Sequence, residues 1–519
     1  MISRCRVRSF TLVLVSALVA PSLVTGCFVE SNRPCDPYSP GGTASPTAPV
    51  SPGSVTADPT VGGGVLPGQP SDATGVYEDG GSGAGSADGA APACEGRAVD
   101  PDKELFVVDS SVTASWRADV ADPSASFSFR RIVTELAPAN TTPSDFVLRW
   151  LESFATGNHV SFVANGSVSG TVAVAPRPRV SEVLVCPWLK LTPANGCDDT
   201  CGYCRGRALD LGKAPFALTA VVNRMDVRDT SRSCGADAGQ GRLVFTALRP
   251  GTKEPIPFSV IFEYSLPSTT AADVRAWATR WHRLGDLPFG PAFASSLADV
   301  TDRFVRHGVL PSSSGGSALS AIRTNEAAFS ASGTEWELRE FRFLRAASTS
   351  STYSLEPVVT ESTPRLEVAG TEALGSHILA NAASIRDRAD NALPFAMIAG
   401  ASSIPSASFA WSAPNVKDAG LLAAFNANTC NGCHARAGGV GAGGFLHVVP
   451  GATAGAASVR SPFLLGTGAG EGELARRATA FAAVLCSPCT GTTPYYGART
   501  GEDVEDVAIR AAVAGRRVH

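Results

Sequence analysis

Apolar positions fall into three regimes along the chain. From Phe10 to Ala20 nearly every position is apolar, and Pro21 ends the run. Between Pro34 and Pro92, Gly, Ser, Pro, Thr and Ala dominate and large apolar side chains are few. Periodic patterns begin near Asp100. The runs Leu105 to Val108, Phe216 to Val222, Leu243 to Phe245 and Phe258 to Tyr264 read as strands. Three stretches carry apolar residues at helical spacing. Phe146, Trp150, Leu151 and Phe154 follow a start at Ser144-Asp145; Val274, Trp277, Trp281 and Leu284 lie between Thr270 and Gly285; Phe293, Leu297, Val300 and Phe304 precede Gly308. These aromatic stripes predict core rather than a cofactor box. Trp336 to Leu344 reads as a strand whose alternation breaks near Glu340, as at a bulge. After Pro364 the pattern turns helical, on Leu374, Ile378 and Ile385, on Leu421, Leu422 and Phe425, on Leu474, Phe481 and Leu485, and on Val504, Val507 and Ala511. No internal repeat is found.

These regimes predict an α+β protein. A Gly/Pro/Ser-rich segment, 27–97, cannot bury enough surface to offset chain entropy and reads as a disordered tether. A mixed α/β domain with antiparallel strands follows at 98–368, then a smaller, mostly helical domain at 369–519. The 519 residues are ample for a real core. A net charge of −4 without a basic stripe makes nucleic acid a poor partner.

The first 26 residues carry Arg4, Arg6 and Arg8 ahead of the apolar run. About 11 apolar residues are too few to span a bilayer but suit a signal peptide. Val24-Thr25-Gly26-Cys27 resembles the bacterial lipobox. The resemblance implies cleavage before Cys27 and lipidation of its thiol, with several acyl chains giving stable membrane anchorage. Phe28 in place of Asp, by resemblance to Gram-negative lipoproteins, points to the outer membrane. The expected location is therefore the cell envelope, on its periplasmic or surface face.

One motif carries sharp chemistry. Cys430-Asn431-Gly432-Cys433-His434 is a C-x-x-C-H element, the c-type haem attachment signature. Two thiols on one turn can reach the two vinyl groups of a porphyrin edge, and the next residue then lies under the iron. With the preceding Gly420 to Asn428 helix and its Phe425, the element resembles the first helix and attachment turn of class I cytochromes c, with one extra residue between Phe425 and Cys430. The resemblance covers about 20 residues and implies one covalent haem c, held by Cys430 and Cys433 and ligated by His434. That family usually takes a downstream Met as sixth ligand, yet only Met1, Met225 and Met397 occur. His447 is the best candidate instead, with His377 and Met397 upstream and His519 at the chain end. Di-haem peroxidases need a second such motif, which is absent. Two alternatives to haem stay open: disulfides, or a structural zinc, formed by Cys430 and Cys433 with Cys486 and Cys489.

Cys186, Cys197, Cys201, Cys204 and Cys234 lie within 49 residues. In an exported chain they read as a disulfide-stapled loop, with Cys486 and Cys489 as further disulfide candidates. A metal site and redox use of Cys201 and Cys204 are the lesser readings. Asp226, Asp229 and Asp237 read as a surface loop rather than a cation site. No nucleophile elbow, zinc-protease motif, P-loop or dinucleotide fingerprint is found. Segments 220–226, 241–245 and 261–264 resemble a group of exported lipoproteins of GC-rich, myxobacteria-like organisms, in which a Cys-Asn-Gly-Cys-His element recurs near the C-terminus. That resemblance implies no activity. The expected function is an anchored monohaem protein moving electrons to or from a redox protein partner, or sensing redox state. The rivals are a non-enzymatic, disulfide-rich surface protein whose C-x-x-C-H is structural, and an enzyme with an unrecognised site in 98–368.

Overall fold

A computed structural model describes residues 98–486, except 114–124, 157, 165–166, 229–237, 311–315, 331, 333–334, 346–352, 361–362, 388–390, 406–408, 437–444, 452–455 and 467–471. The expectations on the signal peptide, Cys27, the tether, Cys234, Cys489, Asp229, Asp237, the 504–511 helix and His519 lie outside the described residues.

Ten strands make one sheet: β1 Phe106–Val107, β2 Asn158–Ala164, β3 Ser167–Val174, β4 Phe216–Arg224, β5 Gln240–Leu248, β6 Pro255–Ser265, β7 Leu319–Ala327, β8 Trp336–Arg345, β9 Tyr353–Val358 and β10 Ser402–Ile404. Their order is β1-β4-β5-β6-β7-β8-β9-β2-β3, with β10 added alongside β8. Every pairing is antiparallel except β2 with β9. The α+β class is thus observed. A separate two-stranded ribbon joins β11 Val448–Val449 to β12 Val459–Arg460.

Strict alternation along the central strands sends one set of side chains to each face. Leu243, Phe245, Phe258, Val260, Phe262 and Tyr264 enter the largest core. Helices Phe129–Leu136, Pro143–Glu152, Ala271–Leu284 and Pro291–Val305 close that core from above. The Ala271–Leu284 helix shows why these residues form it. Thr270 and Asp273 make a reciprocal capping box, and Val274, Trp277, Ala278, Trp281 and Leu284 are buried on one stripe. Burying a side chain as large as that of Trp281 is worth about 3 kcal/mol.

The opposite face is covered by the chain after residue 369. Val222, Val244 and Ile261 pack with Val448, Leu464 and Leu474. Trp336 and Leu338 pack with Leu374, Ile378, Trp411, Leu421 and Phe425. Between these two patches runs a buried charged stripe, where Arg323 lies 3.1 Å from both Glu263 and Glu340. The chain before and after residue 368 shares this one sheet. β10 pairs with β8, and Phe481 and Val484 join the first core.

The bulge expected near Glu340 is not found. The register of β8 runs unbroken against both β7 and β9. The cause of the apparent break is that each face of β8 changes character along the strand. Trp336 and Leu338 lie over an apolar patch, whereas Glu340 and Arg342 on the same side meet the charged stripe. Glu337 and Arg339 on the other side give way to Phe341 and Phe343 in the first core.

Candidate functional site

The Ala419–Ala427 helix, capped by Asp418, delivers Phe425 into the core and leads directly into the Cys430 turn. That turn is held by side chains rather than by a long helix. Thr429 Oγ1 donates to Asn426 O at 2.6 Å and accepts from the Gly432 amide at 3.1 Å. Asn426 clamps Trp411 at both its N–H and its carbonyl, and Trp411 Nε1 donates to Asn431 Oδ1. The Cys430 amide donates to Thr363 Oγ1 at 3.0 Å. Gly432 is required here, because any Cβ would collide with the Asn426 carbonyl oxygen.

Cys430 and Cys433 are thiols. Burial pushes the Cys430 thiol up, although the Ser402 and Thr363 hydroxyls and Arg323 favour its anion. Cys433 is pushed up to about 12, first by burial and then by Glu473. Both sulfurs are therefore protonated and not nucleophilic at neutral pH.

His434 is 2% exposed and packs against the sheet. Its Nδ1 lies 3.2 Å from Phe445 O. A carbonyl oxygen only accepts, so this contact favours a ring proton on Nδ1. Asn325 of β7 favours the opposite tautomer, because its amide donor faces the same Nδ1, so the two contacts do not fix which ring nitrogen carries the proton. Its Oδ1 accepts from Trp336 Nε1 at 2.6 Å, which turns its Nδ2 toward Phe445 O and places it 3.1 Å from His434 Nδ1. The Trp336 and His434 rings lie 6.0 Å apart. Burial pushes the imidazole down to about 4, against the Phe445 hydrogen bond that raises it. The ring is neutral at pH 7, as a metal ligand must be.

His447 sits beside it. The two ring centroids are 4.7 Å apart and the planes are tilted by 32°. His447 Nε2 is 3.8 Å from Cys433 Sγ, its Nδ1 is 3.2 Å from Ser461 Oγ, and its other ring face stacks on Phe463. Burial and His434 push it well below the usual histidine range. Both histidines line a cleft of about 520 Å³, part of it open to solvent, between the sheet and the 445–464 segment. Its walls include Val222, Val244, Ile261 and Leu464, and Arg224, Arg242 and Arg477 line it too. Neither motif cysteine is among the lining residues.

The structure thus brings Cys433, His434 and His447 together. His377 is engaged elsewhere, with its Nε2 2.7 Å from Asn391 O. Met397 sits in a short turn that closes on the 365 segment. Asn325, Trp336, Trp411 and Asn426 were not legible as site residues, because their roles arise from contacts across 11 to 120 positions of sequence.

The stapled loop is observed, with Cys186 joined to Cys201 and Cys197 to Cys204. The sulfurs of Cys197, Cys201 and Cys204 lie within 4.8 Å of one another, a closeness the two disulfides account for. Cys486 is also disulfide-bonded, while Cys430 and Cys433 remain thiols, so these three do not make one zinc set here. Asp226 is not in a surface loop. It is buried against Arg224, whose charge holds its carboxyl down at about 2 despite desolvation. No described helix is long and apolar enough to cross a membrane. No protein-family model matches the chain, and neither a curated protein nor a solved structure matches it.

Proposed function

We propose that this chain is an envelope lipoprotein, anchored through Cys27, that carries one covalent c-type haem and takes part in electron transfer or redox sensing. The observation that carries the reading is His434. It follows a C-x-x-C pair of thiols, is neutral by burial, and lines a cleft beside His447. In this reading Cys430 and Cys433 form the thioethers and His434 ligates the iron. A bound haem supplies a one-electron iron couple. Asn325 and Trp336 orient the imidazole, and the sheet behind them excludes water. A redox protein is the expected partner.

The test is production of the full chain with and without a cytochrome maturation system. A Soret band that survives acid-acetone extraction supports the reading, and a pigment that extracts, or never forms, refutes it. The two disulfides of 186–204 favour a second reading, a stapled, non-enzymatic surface protein whose C-x-x-C-H is structural. Absence of covalent pigment in a folded protein would leave that reading standing.

A further inference from the structure

The cleft beside His434 has apolar walls and a guanidinium end, and its arginines are not equally engaged. Arg242 is paired at every nitrogen: Nε and Nη2 donate to Gln240 Oε1, and Nη1 lies 3.1 Å from Glu263. Arg477 differs. Its side chain is 3% exposed and it lines the cleft, yet only its Nε is bonded, to Glu473 Oε1 at 2.9 Å. Neither Nη group makes a hydrogen bond among the described residues. A guanidinium carries five N–H donors in a planar fork that matches a carboxylate. Leaving the fork's outer edge unmatched in a buried position costs free energy that an arriving anion would recover.

We propose that the Arg477 end of this cleft is a carboxylate-binding subsite for a molecule with an apolar body. Val222, Val244, Ile261 and Leu464 face the body, and the Arg477 fork takes the carboxylate. Two sources share this chemistry: the propionate groups of a haem attached at Cys430 and Cys433, and a free organic acid. The first rests on the haem reading; the second does not. Arg224 and Arg242 add positive potential, while Glu473 pairs with the Arg477 Nε and Asp226 attracts its charge.

Octanoate is a suitable probe, titrated calorimetrically into the full chain made with and without haem maturation. The haem-free protein should bind octanoate, and Arg477→Gln should weaken binding about ten- to hundredfold. Arg477→Lys should restore part of it. Glu473→Gln combined with Arg477→Gln removes both buried charges together and guards against misfolding of the single variant. If haem-loaded protein excludes octanoate and Arg477→Gln shifts the haem midpoint potential, the propionates are the source. If both forms bind octanoate alike, a free acid is the source. If no form binds octanoate and neither variant alters the haem potential, the proposal fails. If haem never attaches, the haem reading fails and the octanoate arm alone decides this one.

Discussion

The imidazoles of His434 and His447 lie against one another, tilted by 32° with centroids 4.7 Å apart, rather than opposed across a gap. Packed against one another in this way, the two rings leave no space for a flat macrocycle between them. His447 can serve as sixth ligand only if its ring moves away from His434, giving up the contacts to Ser461 and Cys433. Removing His434 should therefore abolish the low-spin ferric spectrum of haem-loaded protein. His447→Ala should convert a low-spin spectrum to high-spin if the ring makes that move. An unchanged spectrum in His447→Ala excludes it as a ligand.

Gly432→Ala tests the turn itself. The new Cβ meets the Asn426 carbonyl and lies 3.0 Å from Thr429 Oγ1, so the turn must open. Overpacking of this kind costs about 1–3 kcal/mol. Denaturant midpoints and covalent haem yield should both fall; a variant with wild-type values for both would show that the turn is not so constrained.

Trp336→Phe removes the donor that orients Asn325. The buried Asn325 Oδ1 then lacks its indole partner, at a cost of about 1–3 kcal/mol. Trp336→Phe should also perturb the His434 environment, read as altered ring chemical shifts. Stability within 0.5 kcal/mol of wild type would count against this account.

Non-reducing peptide mapping should join Cys186 to Cys201 and Cys197 to Cys204. A Cys201 to Cys204 bridge would contradict the observed pairing. Replacing Cys186 and Cys201 by Ser opens a loop closed across 15 positions and should lower stability by about 3 kcal/mol.

Glu326 gives a pH dependence with a definite sign. It shares the space under β7 and β8 with Glu337, Arg177, Arg339 and Glu335. Burial, then repulsion from Glu337, pushes its carboxyl up to about 8, against the pull of Arg177 and Arg339. The folded chain then holds a proton that the unfolded chain releases near 4.5, so this contribution is full below about 4.5 and is lost as pH rises to about 8. Urea titrations at pH 5 and pH 8.5 should show that decline, and Glu326→Gln should flatten it. An equal decline in the variant would assign it elsewhere.

Local chemistry made several elements legible. The capping box at Thr270 and the stripe to Leu284 define a helix because period and caps agree before any packing is considered. Phe293 to Phe304 was legible from its period alone, since Gly290 supplies no side-chain cap, and the motif thiols and His434 from their spacing. β2, β3, β7, β9 and β10 were not foreseen, because strands set in a wide sheet take their register from neighbours. The apparent break at Glu340 shows the same limit, since alternation reports burial only where each face keeps one kind of partner.

The sequence alone determined the thiol pair, the imidazole beside it and the helix that leads to them, since these depend on residues adjacent in the chain. Only the tertiary structure decided that Asn325 and Trp336, 109 and 98 positions upstream, would seat His434 on the sheet. It also decided that His447 would pack against that ring and that Arg477 would line the cleft beside it. The physical reason is that tautomer, burial and electrostatic field at a site are sums over neighbours in space, and the chain's order does not encode those neighbours locally.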